Sequence, residues 1–546
     1  MTLRRYLVIG ALVSSSAFAQ IRATVPAKGG DLCTPPPGSI APDLPAKLLM
    51  GQGTVHFPIT TRSAEAQKFF DQGIAQMHSF WAREAERSFL QAAELDPEAP
   101  MPWFGVAMVA AGDWRPKFQI DFIETAFGAP KRTRDRSVEA AEKAVAFSSV
   151  EGKATNLEKM YIAAVAARRD LKQKDPDGAF VQGMRDLLAK YPEEIEAKTY
   201  LALMLMRGFT QPDKKPVNPT SMEAVAILRE LLEKAPEHPG VHHYVIHGFE
   251  GSDFAKDAWA SCRKYPELVP NIPHALHMPG HIWAQTGKWE EAVQSFTAAA
   301  KNERGYMAAD VLYGNRHHGH NVHYLASAYS FEGQFDRAIA AGRELLDMKE
   351  TPKEAKAPDM VSAAYVQGWF ATLRALVQFE KWDELLKGEM LPAAPHARQS
   401  AWQHWALGLA KAGKGDTEGA KEELDMLDVA LDQYRQGSKL GTPAELSVAR
   451  KELEGHIAIA AGKSGHGLRL FEAAAREERA LRYAEPPVYP RPVNEALGRA
   501  ALKLGKLDLA ERAFREALEQ YPGSFHAQSG LRATLQRANK PVEAGE

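Results

Sequence analysis

One spacing pattern recurs at both ends of this chain and limits what it can fold into. Near the N-terminus Gly73, Ala85, Phe89, Ala92 and Pro97 are separated by 12, 4, 3 and 5 residues. Near the C-terminus Gly498, Ala510, Phe514, Ala517 and Pro522 keep the same separations. Gly280, Ala292, Phe296 and Ala299 repeat most of them. Intervals of 4 and 3 put the two alanines and the phenylalanine on one face of a helix. The glycine belongs to the preceding helix, where small residues let the two helices approach and the phenylalanine fill the gap. The proline stops the second helix because it lacks an amide hydrogen. A chain of 546 residues is too long for one core unless the fold grows by repetition, and this pattern supplies the repeat.

The pattern resembles the tetratricopeptide repeat (TPR), a helix-turn-helix unit of about 34 residues. Weaker copies centre on Ala338, Leu385, Ala420 and Gly467, while residues 110–235 read as helical but degenerate. The expected fold is all-α, a TPR-type helical-hairpin solenoid over residues 61–535. The resemblance implies a right-handed superhelix whose concave groove binds ligands. Residues 1–19 read as a secretory signal peptide: Arg4 and Arg5, an apolar run Tyr6 to Val13, and Ala17-Phe18-Ala19 as cleavage site. That run is too short to span a bilayer. Residues 20–60, with Pro35-Pro36-Pro37-Gly38, read as an extended leader, and 536–546 as a tail. The expectation is an exported protein without a membrane span, periplasmic if its source is Gram-negative. The two cysteines, Cys33 and Cys262, are free to pair in an oxidising compartment, but the sequence does not bring them together.

Ten of the 18 histidines lie between His242 and His323, in the repeats spanning 241–346. Most of them keep the register of the repeat. His274, His277 and His281 precede Ala292 by 18, 15 and 11 residues. His320 and His323 precede Ala338 by 18 and 15, and His243 and His247 precede Ala258 by 15 and 11. By the TPR resemblance these offsets on three successive first helices line the groove. His243/His247 and His277/His281 are i, i+4 pairs, so one cation can bridge each of them. A mostly imidazole shell suits copper first, then zinc or iron, and disfavours calcium or magnesium. More than four histidines would allow two metals, or one metal with supporting histidines. His242 and His317 fall off the shared offsets and read as helix-start or packing residues, with His318 intermediate.

Other residues are candidates for the groove or for support of the ligands. His78 ends a first helix, and Glu452 and His456 fall on groove offsets before Gly467. Trp402 and Trp405 fall on the same offsets before Ala420 and could wall a pocket. Glu250 closes the first histidine helix, as a ligand or as a partner fixing an imidazole tautomer. Asp253, nearby, reads as a cap or a ligand. The segment Tyr483 to Pro492 is a Pro-rich loop that either folds over the groove, with Glu485 and Arg491 at its tip, or simply connects repeats.

The strings HYVIH, HALHMPGHIW and GKW, with GTVHFP before them and YAEPP after, look like a family of exported bacterial TPR proteins. That resemblance supports the fold and a shared His-lined site and implies no particular activity. A phosphate loop, a GxSxG elbow, HExxH and CxxCH are all absent from the sequence. The net charge of −2 offers no nucleic-acid footprint. Three readings stay open: a copper- or iron-dependent oxidoreductase acting on a small molecule or peptide, a metal-binding or delivery protein serving a periplasmic partner, and a metal-free interaction scaffold. Whether the chain is an enzyme is undecided at this point.

Overall fold

A computed structural model describes residues 45–120, 131–210, 214–309, 316–348, 364–394, 396–438, 441–481 and 483–542. Among them the architecture is helical throughout, apart from loops and one isolated bridge between Phe209 and Pro216. Consecutive helices pack as hairpins, and hairpins stack on their neighbours, as the spacing predicts. Ala85, Phe89 and Ala92 are fully buried, and so are Ala510, Phe514 and Ala517. A methyl group on Gly73 would lie 2.5 Å from the Phe89 ring, and one on Gly498 would lie 2.7 Å from Phe514. The next hairpin contributes a second glycine to each ring, Gly105 at 2.4 Å and Gly530 at 2.3 Å. Each phenylalanine is therefore clamped between two glycines, one in its own hairpin and one in the next. No described helix is long and apolar enough to cross a membrane.

The helices of the central repeats begin where their sequences dictate. Pro239 and Pro273 occupy first-turn positions, where a missing amide hydrogen costs nothing. His238 caps the helix Pro239–Phe249 by accepting the Val241 amide at its Nδ1. That helix, Pro273–Gln285 and Arg316–Phe331 carry the histidine cluster and are called here the first, second and third histidine helices.

Segments from both sides of the described array pack against these three helices and their hairpin partners. From the N-terminal side, Ser79 accepts a hydrogen bond from Tyr265, and the carbonyl of His78 meets His243. The segment before the first helix is extended but not detached. Phe57 packs against Phe70 and Tyr161, and Gly51 accepts the Asn271 amide at 2.8 Å. From the C-terminal side, Trp289 donates to the Pro522 carbonyl at 2.8 Å, and Phe331 stacks on Tyr521. The inner face of the histidine helices is therefore covered, where the TPR resemblance implied a concave ligand-binding groove.

One contact of this closure is pH-sensitive. Nε2 of His526 donates to the Ser330 carbonyl at 3.2 Å. Burial, then the charge of Arg499, push its pKa down to about 3 from the ordinary 6.5. An imidazole held neutral in the fold stabilises it above the unfolded pKa and ceases to do so as pH falls toward the folded value. Between about pH 5.5 and about pH 4, the wild type should lose about 1.4 kcal/mol per pH unit more than His526→Gln, the slope of one proton. Equal acid slopes in denaturant titrations of the two proteins would contradict this.

Candidate metal centre

Six imidazoles form two triads at the middle of the fold. His243, His247 and His274 bring one ring nitrogen each within 4.8 Å of the others, and so do His277, His281 and His320. All six are buried, at most 4 % exposed. Nε2 of His243 lies 3.0 Å from Nε2 of His274. Nε2 of His277 lies 2.6 Å from Nε2 of His281 and 3.2 Å from Nε2 of His320. The triads adjoin, because His274 and His277 share one helix and their ring centroids are 6.4 Å apart.

The opposite edges of several rings are tied to acceptors. Nδ1 of His243 donates to the His78 carbonyl at 2.5 Å, and Nδ1 of His277 to Oδ1 of Asn321 at 2.7 Å. Asn321 is oriented by its own amide, which donates to the Phe296 carbonyl. Nδ1 of His281 faces Glu250 at 2.8 Å and also meets Glu485. A neutral imidazole that donates from Nδ1 has a bare lone pair at Nε2. Metal-ligating histidines are commonly held in this way. Burial, then neighbouring imidazoles, hold His243, His274 and His277 well below their ordinary pKa, so they are neutral. Burial also opposes a charge on His281, but Glu485 and Glu250 outweigh it and lift its pKa to about 10. Without a metal, His281 thus keeps a proton to share with His277; a metal ion would replace it.

Several residues around the triads were not singled out by spacing. Phe80, with φ of 52°, sits in the left-handed region that a bulky residue rarely adopts. Its ring centroid is 4.4, 5.3 and 5.6 Å from those of His243, His247 and His274, so it covers the first triad. Tyr324 stacks on Phe296 and lies 5.3 Å from the His281 ring. His317, read from its offset as a packing residue, instead stands between the triads, 5.8 Å from His274 and 5.2 Å from His277 between centroids. His317 lies 21 residues before Ala338, one turn before His320 on the third histidine helix, and so outside the offsets shared with the neighbouring repeats. Glu303, on the preceding helix Trp289–Ala309, holds both His317 and His318.

Comparison with known proteins bears on the hairpin fold. A model of the tetratricopeptide repeat matches residues 496–524, the hairpin of Gly498 and Phe514. Residues 496–524 form a tetratricopeptide repeat, and the described helices around them build a TPR-like array. Its backbone is similar to the crystal structure of yeast Tom70, at 12 % identity over 87 % of this chain and 90 % of that one, with a TM-score of 0.26. It is also similar to the TPR domain of P58(IPK), at 14 % identity over 88 % and 100 % of the two chains and a TM-score of 0.23. The human IFIT1 dimer with m7Gppp-AAAA gives 12 % identity, 88 % and 91 % coverage and a TM-score of 0.33. No curated protein matches the sequence.

The TPR array places the remaining candidates unevenly. His323 lies beside the cluster, with Nδ1 on Gln367 at 2.5 Å, and Nε2 buried without a hydrogen-bond partner. His318 bonds Glu303 and Glu344 and turns away from the triads. His242 is held by Ser261 and the Pro236 carbonyl. His78 belongs to a separate buried group, 2.8 Å from Glu196, which also takes His238 at 2.8 Å. Its backbone carbonyl, not its ring, serves the first triad. Trp402 and Trp405 are fully buried against each other and Tyr489, without ring contact to any triad histidine. Glu452 and His456 join Arg491, which is 2.9 Å from Glu452. The Pro-rich loop thus serves two places, with Tyr483 and Glu485 at the triads and Tyr489 and Arg491 at this second network. Asp253 is exposed near Lys214. Cys262 is a buried free thiol, and Cys33 lies outside the described residues, as do the signal peptide and most of the leader.

A cavity of about 480 Å³ adjoins the second triad. Tyr324, Tyr483, Tyr489, Tyr521 and Trp289 line it. No triad histidine faces it, so Tyr324 and Tyr483 form the layer between cavity and imidazoles.

Proposed function

We propose that each triad holds one transition-metal ion, copper before zinc or iron, and that the pair serves oxidoreductase chemistry on a small molecule reaching the adjoining cavity. The observation that carries this reading is the run of Nε2-to-Nε2 contacts at 2.6–3.2 Å, in which His243 and His277 donate from Nδ1 to other acceptors and so turn Nε2 lone pairs toward the neighbouring rings. Protons shared between rings hold these nitrogens together in the metal-free chain, and a cation in their place would be coordinated by the same lone pairs. Shells made of imidazole alone favour copper. Burial supports a resident centre over a delivery site, since a carrier needs ligands within reach of solvent. The TPR-type scaffold is also consistent with a protein-interaction role, and a metal-free scaffold would bind its partner equally well after chelation.

The test is elemental analysis of protein purified without chelators, followed by anaerobic titration with Cu(I). Two equivalents held by the triads are expected. A folded chain that arrives metal-free and takes up none would leave only the interaction scaffold.

A further inference from the structure

We infer that Glu250, Glu485 and Nδ1 of His281 form a third cation site, for a divalent ion such as Zn²⁺, joined to the second triad through the His281 ring. The inference rests on the metal reading of that triad. The three residues bring their ligand atoms within 4.8 Å of one another. They come from a helix end, the second histidine helix and the Pro-rich loop, so only the closed fold assembles them.

Counting protons supports a cation. Nδ1 of His281 carries one hydrogen at most, yet it faces Oε1 of Glu250 at 2.8 Å and also Oε2 of Glu485. The Tyr483 hydroxyl has one hydrogen and again meets both carboxylates, Glu250 at 3.2 Å. Two carboxylates side by side need positive charge between them; in the metal-free chain the protonated His281 supplies it, and a bound ion would take over that place. A divalent ion satisfies both at once. A second observation points the same way. His247, 3 % exposed, directs Nδ1 to within 3.3 Å of Oε2 of Glu250 but makes no hydrogen bond at either nitrogen.

The donor set defines the ligand. Two carboxylates and one imidazole suit Zn²⁺ or another borderline divalent ion, and offer little to Cu(I), which prefers softer donors. On binding, the Nδ1 proton of His281 is released to solvent, and the ring bridges this ion and the triad ion as an imidazolate. Glu485 keeps 15 % of its side chain exposed, and the adjacent Tyr483 and Ala484 line the cavity, which gives the ion a route in.

The experiment starts from protein loaded anaerobically with Cu(I) and adds Zn²⁺. Wild type should bind one further equivalent of zinc. Glu485→Gln should load Cu(I) as the wild type does but lose the zinc equivalent. Anomalous diffraction at the zinc edge on wild-type crystals should place the ion between His281, Glu250 and Glu485, and needs no variant to fold. Cu(I)-loaded wild type that takes no zinc, or a zinc peak elsewhere, overturns the third site and leaves the triads standing. A chain that takes up no Cu(I) overturns the triad reading instead; zinc added to the metal-free crystal then decides the carboxylate site by the same peak.

Discussion

Replacing His277 and His320 together by alanine should remove one of the two triad-bound ions and leave the other in place. The second triad would retain only His281, and a single imidazole cannot hold an ion against solvent and buffer. The first triad shares no ligand with it, so its ion should remain. The lost binding should appear as lost stability, because an ion that binds only the folded chain stabilises it by mass action. At about a thousandfold excess over its dissociation constant, one ion contributes about 4 kcal/mol. Denaturant titrations with and without metal should therefore separate wild type and variant by about that amount when metal is present, and by much less after chelation. His281 is left intact so that Glu250 and Glu485 keep their imidazole, since removing one partner of a buried ionic group is itself costly. A variant that keeps both ions would show that these imidazoles are not ligands.

Gly280→Ala should lower both stability and metal affinity, whereas Gly498→Ala should lower stability alone. The two glycines hold the same place in the repeat. An added methyl group would lie 2.4 Å from the Phe296 ring in the first case and 2.7 Å from the Phe514 ring in the second. Overpacking of this kind costs about 1–3 kcal/mol. The consequences differ because Gly280 lies between His277 and His281, and the Phe296 ring lies 5.0 Å from that of His277. Displacing Phe296 disturbs the imidazoles and also Asn321, which bonds the Phe296 carbonyl. Support residues of this kind typically account for a ten- to hundredfold change in metal affinity. Competition with a chromophoric Cu(I) chelator would measure it. Equal metal affinity in both variants would mean that the packing of the repeat and the geometry of the centre are independent.

Parts of the centre could be read directly from the chain, for a local reason. The i, i+4 pairs His243/His247 and His277/His281 need only a helix to share a face, and both pairs fall within single triads. His320 joined them through the repeat register, which carries a residue to the same height on the next hairpin. The register missed His317, which lies one turn before His320 on the same helix and so outside the offsets compared between repeats. It also had nothing to say of Phe80, whose role depends on a left-handed backbone and on contact with a helix about 160 residues away. Glu485 was visible as the tip of a Pro-rich loop, but its position against His281 spans 204 residues of sequence. Trp402, Trp405, Glu452 and His456 show the converse. They share the groove offsets, yet gather around Tyr489 and Arg491, because equal offsets in distant repeats give equal roles within a hairpin and not a common location.

The sequence by itself determined the hairpin, its glycine-clamped phenylalanine and the histidine-bearing faces of three successive helices. Each depends on contacts within a repeat or with its neighbour, and those contacts are written in spacing. The tertiary structure decided that the array closes on its own middle, so that histidines expected to line an open groove are buried beside Glu250, Glu485 and Phe80. That closure is made by contacts between residues far apart in the chain, such as Tyr521 with Phe331 and Glu485 with His281, and no spacing within a repeat encodes them.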